Sequence, residues 1–309
     1  MYINYKKSLT NYLYKINPNL IITSSDMATS HRVMFSWCKR NKVPYIILQP
    51  SFIEGIPQKY GLIKRAKHLV VNKVFGLPVY RKQSLYGNES QKSFLFIWGK
   101  YFINNPNRKN MFILGNPAFD ALFNNFNTKR EIKKKILICT ESLDFFGKEI
   151  FNKVNDIYLE AIKSKPDLTF YVKVHPREAI EKYETIFPKS KFPNVKVVKN
   201  IDLYELFNLC DIQLSVASFS SIEAAALGIP IIIVRPHNTM KILDHFRKEI
   251  DIRVTKEEEI VDALNFALSD EYWYQFLDKR KKYFEKLLYS TDGQSAKRVA
   301  EVIKGLIKE

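Results

Sequence analysis

Between Leu168 and Val234 the chain alternates short apolar runs with short polar-faced stretches, and this alternation constrains the fold more than any other feature. The run from Leu168 to Val174 stops at His175-Pro176-Arg177. The run from Asp211 to Ser215 leads through Ser218, Phe219, Ser220 and Ser221 into Ile222-Glu-Ala-Ala-Ala-Leu-Gly228, and Ile229 to Val234 follows. Strand, turn, helix, strand is the βαβ unit, and such units build parallel sheets.

The same grammar runs through the rest of the chain. Ile16 to Thr23 reads as a turn and a short buried strand, Ala28 to Arg40 as a helix with Trp37 and Cys38 inward, and Val43 to Leu48 as the next strand. Two more short strands, Phe94 to Gly99 and Met111 to Pro117, end in glycine turns, and the polar stretch Asn124 to Lys135 suits a linker. A second set of elements then begins with the strand Lys135 to Cys139 and ends in helices from Lys256 onward. The expected fold class is α/β, with two Rossmann-like, doubly wound domains at 1–128 and 129–309. We expect the terminal helices to pack back toward the first of these.

A chain of 309 residues with 46% hydrophobic content can bury two cores and is not disordered. The three cysteines, Cys38, Cys139 and Cys210, are scattered without CxxC spacing, so neither a disulfide framework nor a zinc site is expected. The N-terminus lacks the apolar core of a signal peptide, and no run is long enough to span a bilayer. These features point to a cytoplasmic protein. Charge is uneven: residues 1–128 hold 18 Lys and Arg against 4 acids, and the remainder holds 31 against 28. A basic field concentrated in one half favours an anionic partner, whether phospholipid, phosphorylated acceptor or nucleic acid. Within that half, Gly61 to Tyr80 interleaves Lys64, Arg65, Lys67, His68 and Lys73 with apolar residues. That pattern fits a helix lying on an anionic membrane, and also the more common case of a core-facing helix with a solvated lysine face.

Ligands of open parallel sheets sit outside the carboxyl ends of the strands, where His175 and Ser218 to Ser221 fall. Ser220 and Ser221 open a helix, whose unpaired N–H groups and hydroxyls would cradle a phosphate. The same Ser220-Ser-Ile-Glu223 run also reads as a capping box, with Gly228 as the helix stop. His175, fixed by Pro176 and flanked by Arg177, can donate to a phosphate oxygen as charge develops on a leaving group.

Val172-Lys-Val-His-Pro176, Asp202-Leu-Tyr-Glu-Leu-Phe-Asn-Leu-Cys-Asp211 and Ser218-Phe-Ser-Ser-Ile-Glu-Ala-Ala-Ala-Leu-Gly-Ile-Pro230 together resemble the C-terminal domain of GT-B glycosyltransferases. The likeness is greatest to bacterial capsule and surface-polysaccharide transferases and to sialyltransferases with an HP motif and a serine pair. Thr291 to Ala300 is similar to the closing helix of capsule and teichoic-acid transferases, and the resemblance covers residues 135–309. It implies that His175, Pro176, Arg177, Ser218, Ser220 and Ser221 grip the phosphate of a nucleotide-activated sugar, CMP- or UDP-linked, with Glu223 near the ribose. It also implies a general base in the first domain. Ile53-Glu54-Gly55 matches two positions of the acidic-acidic-glycine motif of sialyltransferases, which makes Glu54 the candidate base and Asp26 the runner-up.

Ser215 stands where retaining enzymes of the Glu-x7-Glu type carry their first glutamate, which favours inversion. No Asp-x-Asp triplet is present, so no metal or other cofactor is expected. The first domain is short for a GT-B half, lacking one or two βαβ units before Leu20. The expectation is therefore an inverting, metal-independent glycosyltransferase. It would act on a glycan or lipid-linked acceptor, with a peripheral place at the inner membrane face. The alternatives are a polyol-phosphate transferase of the CDP-glycerol type, a non-hydrolysing sugar-nucleotide epimerase, an inactive partner subunit, or a nucleic-acid-binding protein. Nucleic acid is not the expected partner.

Overall fold

A computed structural model describes residues 2–25, 28–50, 93–103, 108–126, 131–143, 147–216, 218–236 and 249–308. The chain forms two compact units, one of Met1–Asp120 with Glu285–Glu309 and one of Ala121–Phe284. Gly61 to Tyr80 lies outside the described residues. No described helix is long and apolar enough to cross a membrane.

In the first unit, α1 (Tyr2–Ile16) and α2 (Thr29–Asn41) accompany four parallel strands, β1 (Ile21–Thr23), β2 (Tyr45–Leu48), β3 (Phe94–Ile97) and β4 (Met111–Ile113), paired in chain order. Trp37 and Cys38 of α2 are buried, and Tyr14 of α1 meets the Trp37 ring edge-on at 5.7 Å. Sequence reading does not find α1, because a stretch rich in Lys, Asn and Tyr buries only Leu13 fully among its described side chains.

The last helix, α10 (Ser295–Lys308), packs Val299, Val302, Ile303 and Leu306 against Ile46, Phe96 and Leu114. That i, i+3, i+4, i+7 spacing presents one apolar stripe to the sheet. The start of α10 is held from far away in sequence. Asp120, first residue of the short helix α3 (Asp120–Asn124), accepts the N–H groups of Ser295 at 2.9 Å and Ala296 at 2.7 Å, placing a carboxylate at the positive end of α10. Gly115 makes this approach possible: its φ is +88°, and an added Cβ would stand 2.3 Å from Ser295 Oγ.

The second unit is a six-stranded parallel sheet of β5 (Lys135–Cys139), β6 (Thr169–Lys173), β7 (Val195–Val198), β8 (Ile212–Ser215), β9 (Ile231–Val234) and β10 (Ile252–Val254). The spatial order is β7-β6-β5-β8-β9-β10. Numbered within the unit this is 3-2-1-4-5-6, the doubly wound order whose direction reverses between its first and fourth strands. Ile136, Leu137, Ile138, Ile212 and Leu214 are wholly buried, because helices cover both faces of the sheet. Helix α4 (Lys148–Ser164) contributes Val154, Ile157, Tyr158, Ala161 and Ile162. The shorter α5 (Ile180–Ile186), α6 (Leu203–Leu209) and α7 (Ser220–Ala226) are the later crossovers, and α8 (Ile260–Leu268) and α9 (Asp270–Leu287) follow β10.

Helix α7 has a well-defined stop. Gly228 has φ +88°, its N–H reaches Ala225 O at 3.0 Å, and the Ile229 N–H reaches Ala224 O at 2.9 Å, the paired bonds of a Schellman motif. The Arg280 side chain finishes the cap, with Nε donating to Ala225 O at 2.8 Å and Nη2 to Ala226 O, while its guanidinium lies 3.7 Å from the centroid of the Phe126 ring. Burial pulls the Arg280 pKa down to about 10.

We expect Gly115→Ala to destabilise the protein by about 2 kcal/mol or more, since a left-handed alanine and a buried overlap add together. A melting temperature equal to wild type would contradict this role.

Candidate active site

Beyond the carboxyl ends of β5, β6, β7 and β8 lies a cleft of about 470 Å³. Its lining includes Thr140, Lys173, His175, Pro176, Lys199, Asp202, Ser218 and Ser220. The size falls in the range of small-ligand sites, and the position, straddling the β5–β8 reversal, is where doubly wound sheets bind ligands. A smaller hollow of about 200 Å³ sits at the opposite strand ends, lined by Lys133, Asp211 and Trp273 among others. There both Asp211 oxygens are taken, by the N–H groups of Lys133 and Lys135 at 2.9 Å each.

The turn carrying His175 is held at three points. The His175 N–H donates to Thr140 Oγ1 at 2.8 Å, and the Glu178 N–H donates to His175 O at 2.9 Å. The Arg177 N–H donates to His175 Nδ1 at 3.2 Å. An Nδ1 that accepts carries no proton, so a neutral ring presents Nε2–H to a ligand. Arg177 thus contributes its amide, while its side chain is exposed and not among the groups lining the cleft. Pro176 does line it.

Across the cleft the serines form a directional chain. Gln213 Nε2 donates to Ser220 Oγ at 2.7 Å, and Ser220 Oγ donates to Ser218 Oγ at 2.7 Å. Ser218, having accepted, keeps its own proton for a ligand. Gln213 is almost wholly buried behind the chain, and its Oε1 has no partner among the described residues. Cys139, at the cleft floor, has its thiol pushed up to about 11 by burial, so it is not an activated nucleophile.

Two parts of the expected phosphate cradle are arranged otherwise. Ser221 is fully buried, its hydroxyl 2.6 Å from that of Ser215, and it does not line the cleft. The N–H groups at the start of α7 are engaged within the turn: Ser220 to Ser218 Oγ at 3.3 Å, Ser221 to Ser218 O at 3.1 Å, and Ile222 to Phe219 O at 2.9 Å. The capping box is absent as well, because the N-cap is Phe219 in a helical conformation with no side-chain bond. The carbonyls of a tight turn and the Ser218 hydroxyl, rather than a ligand, satisfy these donors.

Glu223 is half-buried, is not among the described residues lining the cleft, and accepts the Tyr204 hydroxyl at 3.0 Å. Burial raises its pKa, and the Tyr204 bond partly opposes the rise. Glu54 and Asp26 lie outside the described residues.

Sequence reading passed over Thr140, Lys173, Lys199 and Gln213. Lys199 Nζ donates to Glu178 O at 2.7 Å, and Lys173 Nζ donates to Lys199 O, so the two lysines stitch the loops after β6 and β7 together. Among the described residues of the wall the one carboxylate, Asp202, caps α6 through the N–H groups of Tyr204 and Glu205. The wall therefore carries positive charge and outward donors, a setting for an anion. The available signal was positional: Lys173 interrupts an apolar strand, and Thr140 is the first residue past β5.

No protein-family model and no curated protein matches the chain. Solved structures do match. A UDP-GlcNAc 2-epimerase from Neisseria meningitidis bound to UDP-GlcNAc aligns with TM-score 0.63 at 17% identity, over 97% of this chain and 80% of that one. A glycotransferase of kitacinnamycin aligns with TM-score 0.61 at 12% identity, over 99% and 80%. The wall teichoic acid polymerase TagF with CDPG aligns with TM-score 0.57 at 11% identity, over 94% and 73%. The chain thus has the two-domain, parallel-sheet α/β fold of GT-B enzymes.

Because the Tyr204 hydroxyl holds the Glu223 pKa down against burial, Tyr204→Phe should move the Glu223 carboxyl titration to still higher pH. A carboxyl ¹³C NMR titration that moves downward would contradict the pairing.

Proposed function

We propose that the second unit binds the phosphate of a nucleotide-activated sugar, CMP- or UDP-linked, and that the enzyme transfers the sugar with inversion to a surface glycan or glycolipid. The observation carrying this reading is the convergence of His175, with Nδ1 occupied, and the Gln213-Ser220-Ser218 chain on one basic cleft at the sheet reversal. The neighbours support it: one is bound to UDP-GlcNAc and another is described with CDPG.

In the proposed reaction an acceptor hydroxyl attacks the anomeric carbon from the face opposite the phosphate. The acceptor O–C bond forms while the bond from the anomeric carbon to the phosphate oxygen breaks, its electron pair leaving with the phosphate. The Nε2–H of His175 and the Ser218 hydroxyl donate to the oxygens gaining charge, and the acceptor proton passes to a base, for which we propose Glu54 with Asp26 second. Donors preorganised toward developing charge lower the barrier because they need not reorient. Inversion is supported by Ser215, whose buried hydroxyl pairs with Ser221 where a retaining enzyme of the Glu-x7-Glu type has a carboxylate. The reaction as drawn uses no metal. Sialyltransferase-like or capsule specificity is the narrower form of the proposal, resting on the HP and serine motifs.

A second reading, transfer of a polyol phosphate from a CDP-linked donor, is favoured by the likeness to TagF. It would use the same cleft to hold a departing CMP. Thermal stabilisation by CMP, CDP, UDP, GDP and a short oligonucleotide tests both readings against nucleic-acid binding. A nucleotide at about a hundred times its dissociation constant adds about 2.7 kcal/mol. We expect a shift with a cytidine or uridine nucleotide, and His175→Ala should lower turnover by about a hundredfold or more. Undiminished turnover in His175→Ala, or a response to the oligonucleotide alone, would overturn the assignment.

We also propose a peripheral contact with anionic lipid at the inner membrane face. It is supported by the basic first half and by α1, which exposes Tyr5, Tyr12 and Ile16 along one face, with Lys7 and Lys15 also exposed on the helix. The protein should sediment with phosphatidylglycerol vesicles but not with phosphatidylcholine vesicles, and Lys7→Glu with Lys15→Glu should weaken this by about tenfold. Equal sedimentation with both vesicle types would rule the contact out.

A further inference from the structure

Glu178 is a buried carboxylate at the turn that delivers His175, and neither the phosphate site nor the proposed reaction gives it a role. It is 6% exposed and is held by three donors: Thr140 Oγ1 at 2.7 Å, Tyr183 OH at 2.9 Å and Lys182 Nζ at 3.5 Å. Burying a carboxylate is unfavourable unless its oxygens are well bonded, and an apolar side chain would fill such a position more cheaply. What the carboxylate does that an apolar group cannot is fix the direction of a hydrogen bond. An ionised carboxylate only accepts, so the Thr140 hydroxyl must point its proton at Glu178 Oε2. The Thr140 oxygen is then left with only lone pairs for His175, and it is there that the His175 N–H donates at 2.8 Å.

From these contacts we infer that Glu178, acting through Thr140, is a positioning residue for the His175 imidazole. The chain runs one way, from His175 N–H to Thr140 Oγ1 and from Thr140 O–H to Glu178. The same residue closes the turn from the other side, its own N–H donating to His175 O at 2.9 Å. With the turn held at both ends, the Arg177 N–H meets Nδ1 and the ring proton is kept on Nε2. Lys199 Nζ, bonded to Glu178 O at 2.7 Å, ties the arrangement to the next loop of the cleft. The inference deepens the proposed function, since it rests on His175 as the phosphate donor.

The test reads the imidazole directly. Protein labelled with ¹⁵N-histidine is examined by long-range ¹H–¹⁵N NMR, with the His175 signals identified by their loss in His175→Gln, and UDP and CMP are titrated into each variant. Wild type should show the Nε2–H tautomer. Thr140→Ser, which restores the hydroxyl, and Glu178→Gln, whose amide oxygen can still accept from Thr140, should keep it. Thr140→Val and Glu178→Leu should give a mixture of tautomers and bind the nucleotide about tenfold more weakly, as for the loss of one well-made hydrogen bond. Thr140→Ala carries the same expectation with a smaller change in shape, should Thr140→Val fail to fold. Tyr183→Phe, which removes a donor to Glu178 without touching Thr140, should lower the melting temperature and leave the tautomer alone. A single unchanged Nε2–H tautomer in Thr140→Val, Thr140→Ala and Glu178→Leu would overturn the inference. Failure of wild type to bind either nucleotide would instead count against the proposed function, and the tautomer comparison would still decide the role of Glu178.

Discussion

Everything in the second unit depends on the pairing of β5 with β6 on one side and β8 on the other, because that is where the sheet reverses its winding. Crossovers leaving β5 and β8 cover opposite faces of the sheet, so the loops at their carboxyl ends part and leave a crevice. The chain holds that opening to a defined width. Glu141, in the loop after β5, accepts the Val216 N–H from the end of β8 at 3.1 Å, and Thr140 takes the His175 N–H from the end of β6. A histidine and a serine chain 43 residues apart in sequence, counted from His175 to Ser218, therefore face one space without either being held by the other.

The two sides of that space share a construction. In each a buried group sets the direction of the chain: the Gln213 amide donates outward to Ser220, and the Glu178 carboxylate draws the Thr140 proton inward so that Thr140 accepts from the His175 N–H. A hydroxyl can donate or accept, so a serine or threonine in a cleft has no fixed polarity until something behind it chooses. Here the buried groups choose, and an approaching anion meets the Ser218 proton and the His175 Nε2–H, while the Thr140 proton stays turned toward Glu178. Preorganisation of this kind is what a site needs when its work is to receive negative charge on a leaving group.

Much of the scaffold was legible because its physical cause is local. The strands β5 and β7 have the limits that their apolar runs suggest, and the Schellman end of α7 follows from Gly228. Elements whose cause is tertiary were not legible. The three-residue β10 exists through its pairing with β9, and α1 buries only Leu13 fully among its described side chains. The α10 boundary shows both cases at once. Its apolar stripe can be read from the sequence, yet its capping carboxylate, Asp120, comes from 175 residues away.

The proposed phosphate site divides along the same line. His175 was visible because a histidine and a proline after an apolar strand already fix a location in a parallel sheet. The serine pair was visible as a pair, but sequence does not say which hydroxyl turns outward. The structure separates them by one step of helix: Ser220 joins the cleft chain, and Ser221 turns into the core to meet Ser215. Phe219 causes that separation by taking up a helical conformation at the cap, which begins the helix as a tight turn and uses the amides that a phosphate would otherwise have met. The consequence for the chemistry is specific. On the proposed reading, an anion in this cleft would be held by side chains, His175 and Ser218 foremost, with Lys173 and Lys199 on the wall. Its recognition is therefore more sensitive to single substitutions than that of a site built from backbone amides, where no side chain can be removed.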